Sequence, residues 1–156
     1  MSLYDRIISL PRELQREALL NMPVSSILAY CTDPQLGRFC SPAFWREKRR
    51  RNPDLVMRYL AELSWSAPLE EFIRILDTLA ILSGGRLDRA TKIHVGRMLS
   101  NSFAPRPTPE DVSKLRYFIQ TENYVPMLPR ENLEAAWLNN RNNDLGRFLE
   151  ETYFDK

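Results

Sequence analysis

Glycine is scarce in this 156-residue chain, with five against eleven prolines, and so few glycines exclude a fold built from many hairpins. Two cysteines, Cys31 and Cys40, and one histidine, His94, cannot supply the four ligands of a structural zinc site without carboxylate help, and their spacing fits no ligand motif. No run of about 18 apolar residues is present, which argues against a membrane-spanning helix. The opening stretch Met1 to Leu10 is broken by Asp5 and Arg6 and lacks the uninterrupted apolar core of a secretory leader. With no leader, and with Cys31 and Cys40 nine residues apart in a predicted helical region, both cysteines read as reduced, buried thiols in a reducing compartment, cytoplasm or nucleus; one disulfide stays formally open.

The motifs of catalysis are missing as well. There is no Gly-rich phosphate loop, no Gly-x-Ser-x-Gly elbow and no His-Glu-x-x-His. His94 sits between Ile93 and Val95 in a helical pattern, with nothing in sequence to orient it as a base. Glu70 with Glu71, and Glu150 with Glu151, are adjacent, so on a helix they diverge by about 100° and form no dyad. The expectation is a protein that is not an enzyme and carries no cofactor and no metal.

What is present is a helical pattern in a chain that is 44% hydrophobic and 27% charged, enough apolar material for a packed interior. Taking prolines as first-turn residues divides it into about eight helical segments and leaves no strand run. They follow Pro11 (Leu14, Ala18, Leu19), Ser25 or Ser26 as a cap (Ile27, Leu28, Tyr30, Cys31), Asp33-Pro34 (Leu36, Phe39, Cys40) and Ser41-Pro42 (Phe44, Trp45). Further on, Asn52-Pro53-Asp54 opens a segment with Leu55, Val56, Tyr59, Leu60 and Leu63. Pro68 opens the clearest amphipathic one, Leu69 to Ala80, closed by Ser83-Gly84-Gly85. A segment from Leu87 to Leu99 leads to Pro105-Arg106-Pro107, read as a stiff exposed connector, and Thr108-Pro109-Glu110-Asp111 is a strong start signal. Two short segments, Leu133 to Trp137 and Leu145 to Tyr153, finish the pattern.

Charge is uneven. Up to Asn52 there are nine Lys or Arg against five Asp or Glu; after it, thirteen against fifteen. Much of the first excess is the run Lys48-Arg49-Arg50-Arg51, which suits the negative pole of a helix end and lacks the interleaved aromatics of a nucleic-acid surface. Nucleic acid is not an expected partner.

One stretch is more than generic helix: Leu10-Pro11-Arg12-Glu13-Leu14, then Leu19-Leu20-Asn21-Met22-Pro23, Ser26-Ile27-Leu28, and Phe39-Cys40-Ser41-Pro42-Ala43-Phe44-Trp45-Arg46. It resembles the F-box, whose pattern opens on Leu-Pro-x-Glu-Leu, has a second Leu-Pro about ten residues on and closes on an aromatic or Leu-Trp pair followed by a basic residue. The likeness runs from Leu10 to about Lys48, and its closing form, Phe44-Trp45-Arg46-Glu47-Lys48, looks most like F-box-like domains of large DNA viruses. Met22 stands where Leu is usual, Ser26 replaces a common Asp, and Asp33-Pro34 interrupts a turn of helix that is continuous in the family.

The resemblance implies an all-α fold, with a three-helix F-box-like unit over residues 1–52 packed on or linked to a C-terminal helical bundle over 53–156. It also implies an adaptor that docks a Skp-family linker of a cullin ubiquitin ligase and presents an unknown protein substrate, in a host cell if the source is viral. Leu10, Pro11, Leu14, Leu20, Met22, Pro23, Ile27 and Leu28 would form or support the partner face, with Trp45 a core anchor. The alternative is a helical structural or interaction protein, such as a virion or assembly component, with an F-box-like fold and no ligase contact. After Pro53 no leucine-rich, WD or kelch period appears; the Pro105-Pro107 connector and the aromatics Tyr117, Tyr124 and Trp137 are the candidate target-recognition features, each of which reads more readily as core or ordinary loop.

Overall fold

A computed structural model describes residues 2–103 and 105–154; Met1, Ala104, Asp155 and Lys156 lie outside them. Among the described residues the chain is all helical, with ten α-helices and no strand. In order they are α1 (Leu3–Ile8), α2 (Arg12–Leu20), α3 (Val24–Tyr30), a 3-10 turn (Leu36–Phe39), α4 (Pro42–Arg51), α5 (Leu55–Glu62), α6 (Leu69–Leu82), α7 (Arg89–Ser102), α8 (Pro109–Glu122), α9 (Arg130–Asn140) and α10 (Asp144–Leu149). The last helix runs on into a π-helical turn, Glu150–Phe154.

Local chemistry accounts for most of the boundaries. Ser41 caps α4, with Pro42 in its first turn, and the basic run Lys48 to Arg51 fills its last turn. Thr108 and Asp111 make a reciprocal capping box at the start of α8, and Asp88 caps α7. Three expected starts differ. Neither Ser25 nor Ser26 caps α3, because the helix already begins at Val24 with Pro23 at its cap position. Asn52 closes α4 instead of opening α5, which starts two residues beyond Pro53 with no side-chain cap. Ahead of all the expected segments lies α1, held by a capping box between Ser2 and Asp5.

The cysteines require a larger correction. Cys31 and Cys40 are not free thiols: they form a disulfide, with Cα atoms 5.8 Å apart. Nine residues of continuous helix would hold them about 13 Å apart. Asp33-Pro34 ends α3 instead. The Asp33 carboxylate accepts from the amides of Gln35 and Leu36, 2.9 Å each, and turns the chain back through the 3-10 turn.

Three groups of buried side chains make the interior. The first joins Ile7, Leu19, Leu20, Ile27, Phe44 and Trp45 to Leu55 and Leu82, so it draws on helices both before and after residue 52. The second lies along α6, around Phe72, Ile75 and Leu79 with Val95, Leu99 and Phe118. The third is built from α8, α9 and α10, around Val112, Leu115, Leu133 and Leu149. Each such aliphatic or aromatic side chain withdrawn from water contributes about 1.5 to 3 kcal/mol. Helix α6 packs against α4, α5 and α8 and so ties the first two groups together.

Candidate partner-binding surface

The segment named by the sequence divides into a buried and an open part. Leu20 and Ile27 are sealed in the first core group, where they support the surface without reaching it. Leu10, Met22 and Leu28 are half-buried, and Pro11 and Pro23 are exposed. Leu14 stands out as a large apolar side chain 51% exposed on the first turn of α2, where its amide bonds back to the Pro11 carbonyl. Trp45 is buried edge-on to Phe44, the core anchor expected of it.

The turn that carries Pro11 and Leu14 is fixed from behind by Gln15. This side chain, 6% exposed, donates from Nε2 to the carbonyls of Ile8 and Leu10, both at 3.0 Å, and accepts from the Arg38 guanidinium at 3.0 Å. Arg38 in turn lies over the Phe39 ring. A buried amide with three partners is satisfied in place and holds the Leu10-Pro11 entry at one angle to α2. Gln15 escaped the sequence reading because its acceptors are main-chain carbonyls; a glutamine on the apolar side of an amphipathic helix was the only trace.

The far end of α2 is organised by charge. Lys48 is 6% exposed, and its ammonium donates to the carbonyls of Leu20, at 2.8 Å, and Met22, at 2.7 Å, which close α2. Burial pushes its pKa down, with smaller contributions from the charges of Arg51 and Arg58. Beside it Arg51 makes a bidentate pair with Glu17, at 2.8 and 2.9 Å, and a bond to Glu47 at 2.9 Å. Hydrogen bonds from Arg50 and Arg51 hold the Glu47 carboxyl down at about 2, and the Arg51 bond lowers that of Glu17. Arg49 lies 3.8 Å from Asp88. The basic run is therefore spent mostly on carboxylates and carbonyls of its own chain, one of them 34 residues away.

Between these helices lies an open cleft of about 410 Å³, lined by Met22, Pro23, Lys48 and Asn52 together with Leu55, Arg58, Tyr59 and Glu62 of α5. It joins residues of the named segment to Lys48 of the basic run and to residues of α5 that no sequence motif brought together with them.

The candidate recognition features of the later helices are largely engaged. Pro107 is buried, so only Pro105 and Arg106 of that connector are exposed. The Tyr117 hydroxyl donates to Asp77, and burial together with that bond pushes its pKa up to about 12. Tyr124 packs edge-on against Phe118. Trp137 donates to Glu150 at 2.7 Å and shares a shallow apolar hollow with Leu138 and Phe154. His94 is exposed, and no group of three or more His, Cys, Asp or Glu that could hold a metal ion occurs among the described residues. No helix among them is long and apolar enough to cross a membrane. No family model, no curated protein and no solved structure matches the chain.

Proposed function

We propose that the protein is an F-box-type adaptor, whose helices up to residue 52 dock a Skp-family linker of a cullin ubiquitin ligase while the helices after Pro53 hold a target protein. The observation that carries this reading is the first turn of α2, where Pro11 and Leu14 stand exposed on a turn pinned by Gln15. Apolar groups already fixed in place lose little freedom on binding, so more of their burial appears as affinity. Half-buried Leu10 adjoins that turn, Leu20 and Ile27 lie in the core behind these helices, half-buried Met22 and exposed Pro23 lie at the other end of α2, and half-buried Leu28 sits on α3. On this reading the protein acts in the cytoplasm or nucleus, of a host cell if its source is a virus.

A second reading, a helical structural or interaction protein without ligase recruitment, is favoured by the Cys31–Cys40 bridge, since structural disulfides are rare in reducing compartments. Pull-down of the full chain with a Skp-type linker separates the two. Wild type is expected to capture the linker, and Leu14→Asp, placed on an exposed side chain, to lower capture at least tenfold while the helical circular dichroism stays unchanged. Pro11→Ala is expected to weaken it less. Undiminished capture by Leu14→Asp overturns the adaptor reading, and no capture by wild type replaces it with the second.

A further inference from the structure

The cleft at the far end of α2 has a chemistry of its own. An ammonium carries three N–H donors, and the Leu20 and Met22 carbonyls take two from Lys48. The third has no acceptor among the described residues, and Lys48 lines the cleft. Across from it the Arg58 guanidinium makes no ion pair or hydrogen bond, and the Tyr59 hydroxyl makes no hydrogen bond, among the described residues. Glu62, the one carboxylate lining the cleft, lies 3.9 Å from Arg74. Arg51, the other cation near Lys48, is neutralised by Glu17 and Glu47. The cleft lining therefore carries two cations, Lys48 and Arg58, and the Tyr59 phenol against one carboxylate, Glu62, whose neighbour Arg74 is bonded more closely to Glu71.

We propose that this cleft is a binding site for an acidic side chain of a partner peptide, its carboxylate received by Lys48, Arg58 and Tyr59 and its neighbouring residues packed on Met22 and Pro23. The positive charges of Arg58 and Lys48 oppose one another across the cleft, and an arriving carboxylate relieves that repulsion while taking up the spare donors. A peptide side chain suits the shape better than a free metabolite. Small-molecule sites enclose most of their ligand, whereas here Pro23, Arg58 and Glu62 are exposed and the apolar rim continues out to the surface. The site lies at the opposite end of α2 from Pro11 and Leu14 and shares Met22 and Pro23 with the face proposed for the linker.

The test is amide chemical-shift titration of the full-length protein. The probes are a terminally blocked hexapeptide with one central glutamate, its glutamine counterpart, and inorganic phosphate. The glutamate peptide is expected to move the amides of Met22, Lys48, Asn52 and Tyr59 and to bind about tenfold more tightly than the glutamine peptide, the loss expected when a charged hydrogen-bond acceptor is replaced by a neutral one. Arg58→Gln, on an exposed side chain, is expected to weaken the glutamate peptide about fivefold with no change in melting temperature, which keeps the test clear of the folding role of Lys48. Equal binding of the two peptides, shifts confined to other helices, or an Arg58→Gln variant that binds as wild type does would overturn the proposal. Phosphate binding at the cleft without peptide binding would overturn it too, by assigning the site to a free anion.

Discussion

Single side chains in this protein do unusual amounts of structural work through charge, and Glu47 shows how that couples to pH. Its carboxyl, ordinarily at 4.5, is held at about 2 by hydrogen bonds from Arg50 and Arg51. A carboxyl depressed in the folded state contributes stability that is fully present above its unfolded pKa and is lost as pH falls toward the folded value. Stability is therefore expected to decline between about pH 4.5 and pH 2, with Glu17 and Asp33, also lowered, adding to the slope. Melting temperatures measured across that window are expected to fall less steeply for Glu47→Gln than for wild type; identical slopes would show that the bonds to Arg50 and Arg51 do not persist in solution. The carboxylate and its partners Arg50 and Arg51 are close in sequence, but other contacts of the basic run are not: Arg51 also reaches back to Glu17, and Lys48 to carbonyls 26 and 28 residues away. A run of four cations reads in sequence as one helix-end feature, and only packing sorts it into a buried ammonium and a set of exposed ion pairs.

At the scale of elements, the sequence was most legible where a start signal is chemical and local. Ser41-Pro42, Pro68-Leu69 and Thr108-Pro109 each open a helix where expected. Replacing Thr108 by Ala removes the acceptor for the Asp111 amide, at 3.2 Å, and is expected to cost about 0.5 to 2 kcal/mol in denaturant unfolding. Gly146→Ala is expected to cost about 1 to 3 kcal/mol for a different reason, since a Cβ there would run into the Asn140 carbonyl where α10 packs on the end of α9. If the order of the two losses were reversed, the α9–α10 junction would be looser than its geometry requires. Where start signals compete, legibility ended. Pro23 sets the first turn of α3 before either serine can cap it, and α1 was overlooked because its six residues are too few to display a period. Periodicity alone does not separate Leu14, which is open, from Leu20 and Ile27, which are closed.

Over the whole molecule, the helical class was legible from the scarcity of glycine and the spacing of prolines, while long-range closure was not. The Cys31–Cys40 bridge depends on a reversal at Asp33-Pro34 that a continuous-helix reading cannot produce. For a loop of this length, chain-entropy arguments give the bridge about 2 to 3 kcal/mol. Cys31→Ser/Cys40→Ser is accordingly expected to unfold at lower denaturant, and wild type in strong reductant to match it. A reductant-insensitive midpoint would mean that the thiols are not joined in solution.

Helix α6 crosses the chain's apparent seam, and its Leu82, with Leu55 of α5, is seated among side chains from α1 to α4. The amino-terminal helices are thus no detachable cassette. Cut away after Asn52 they would bare the greasy underside that Leu55 and Leu82 now cover, and grafted onto another protein they would need a substitute for both. The carboxy-terminal helices complete the other half's interior, so a change in how α6 sits would be felt in both halves of the molecule.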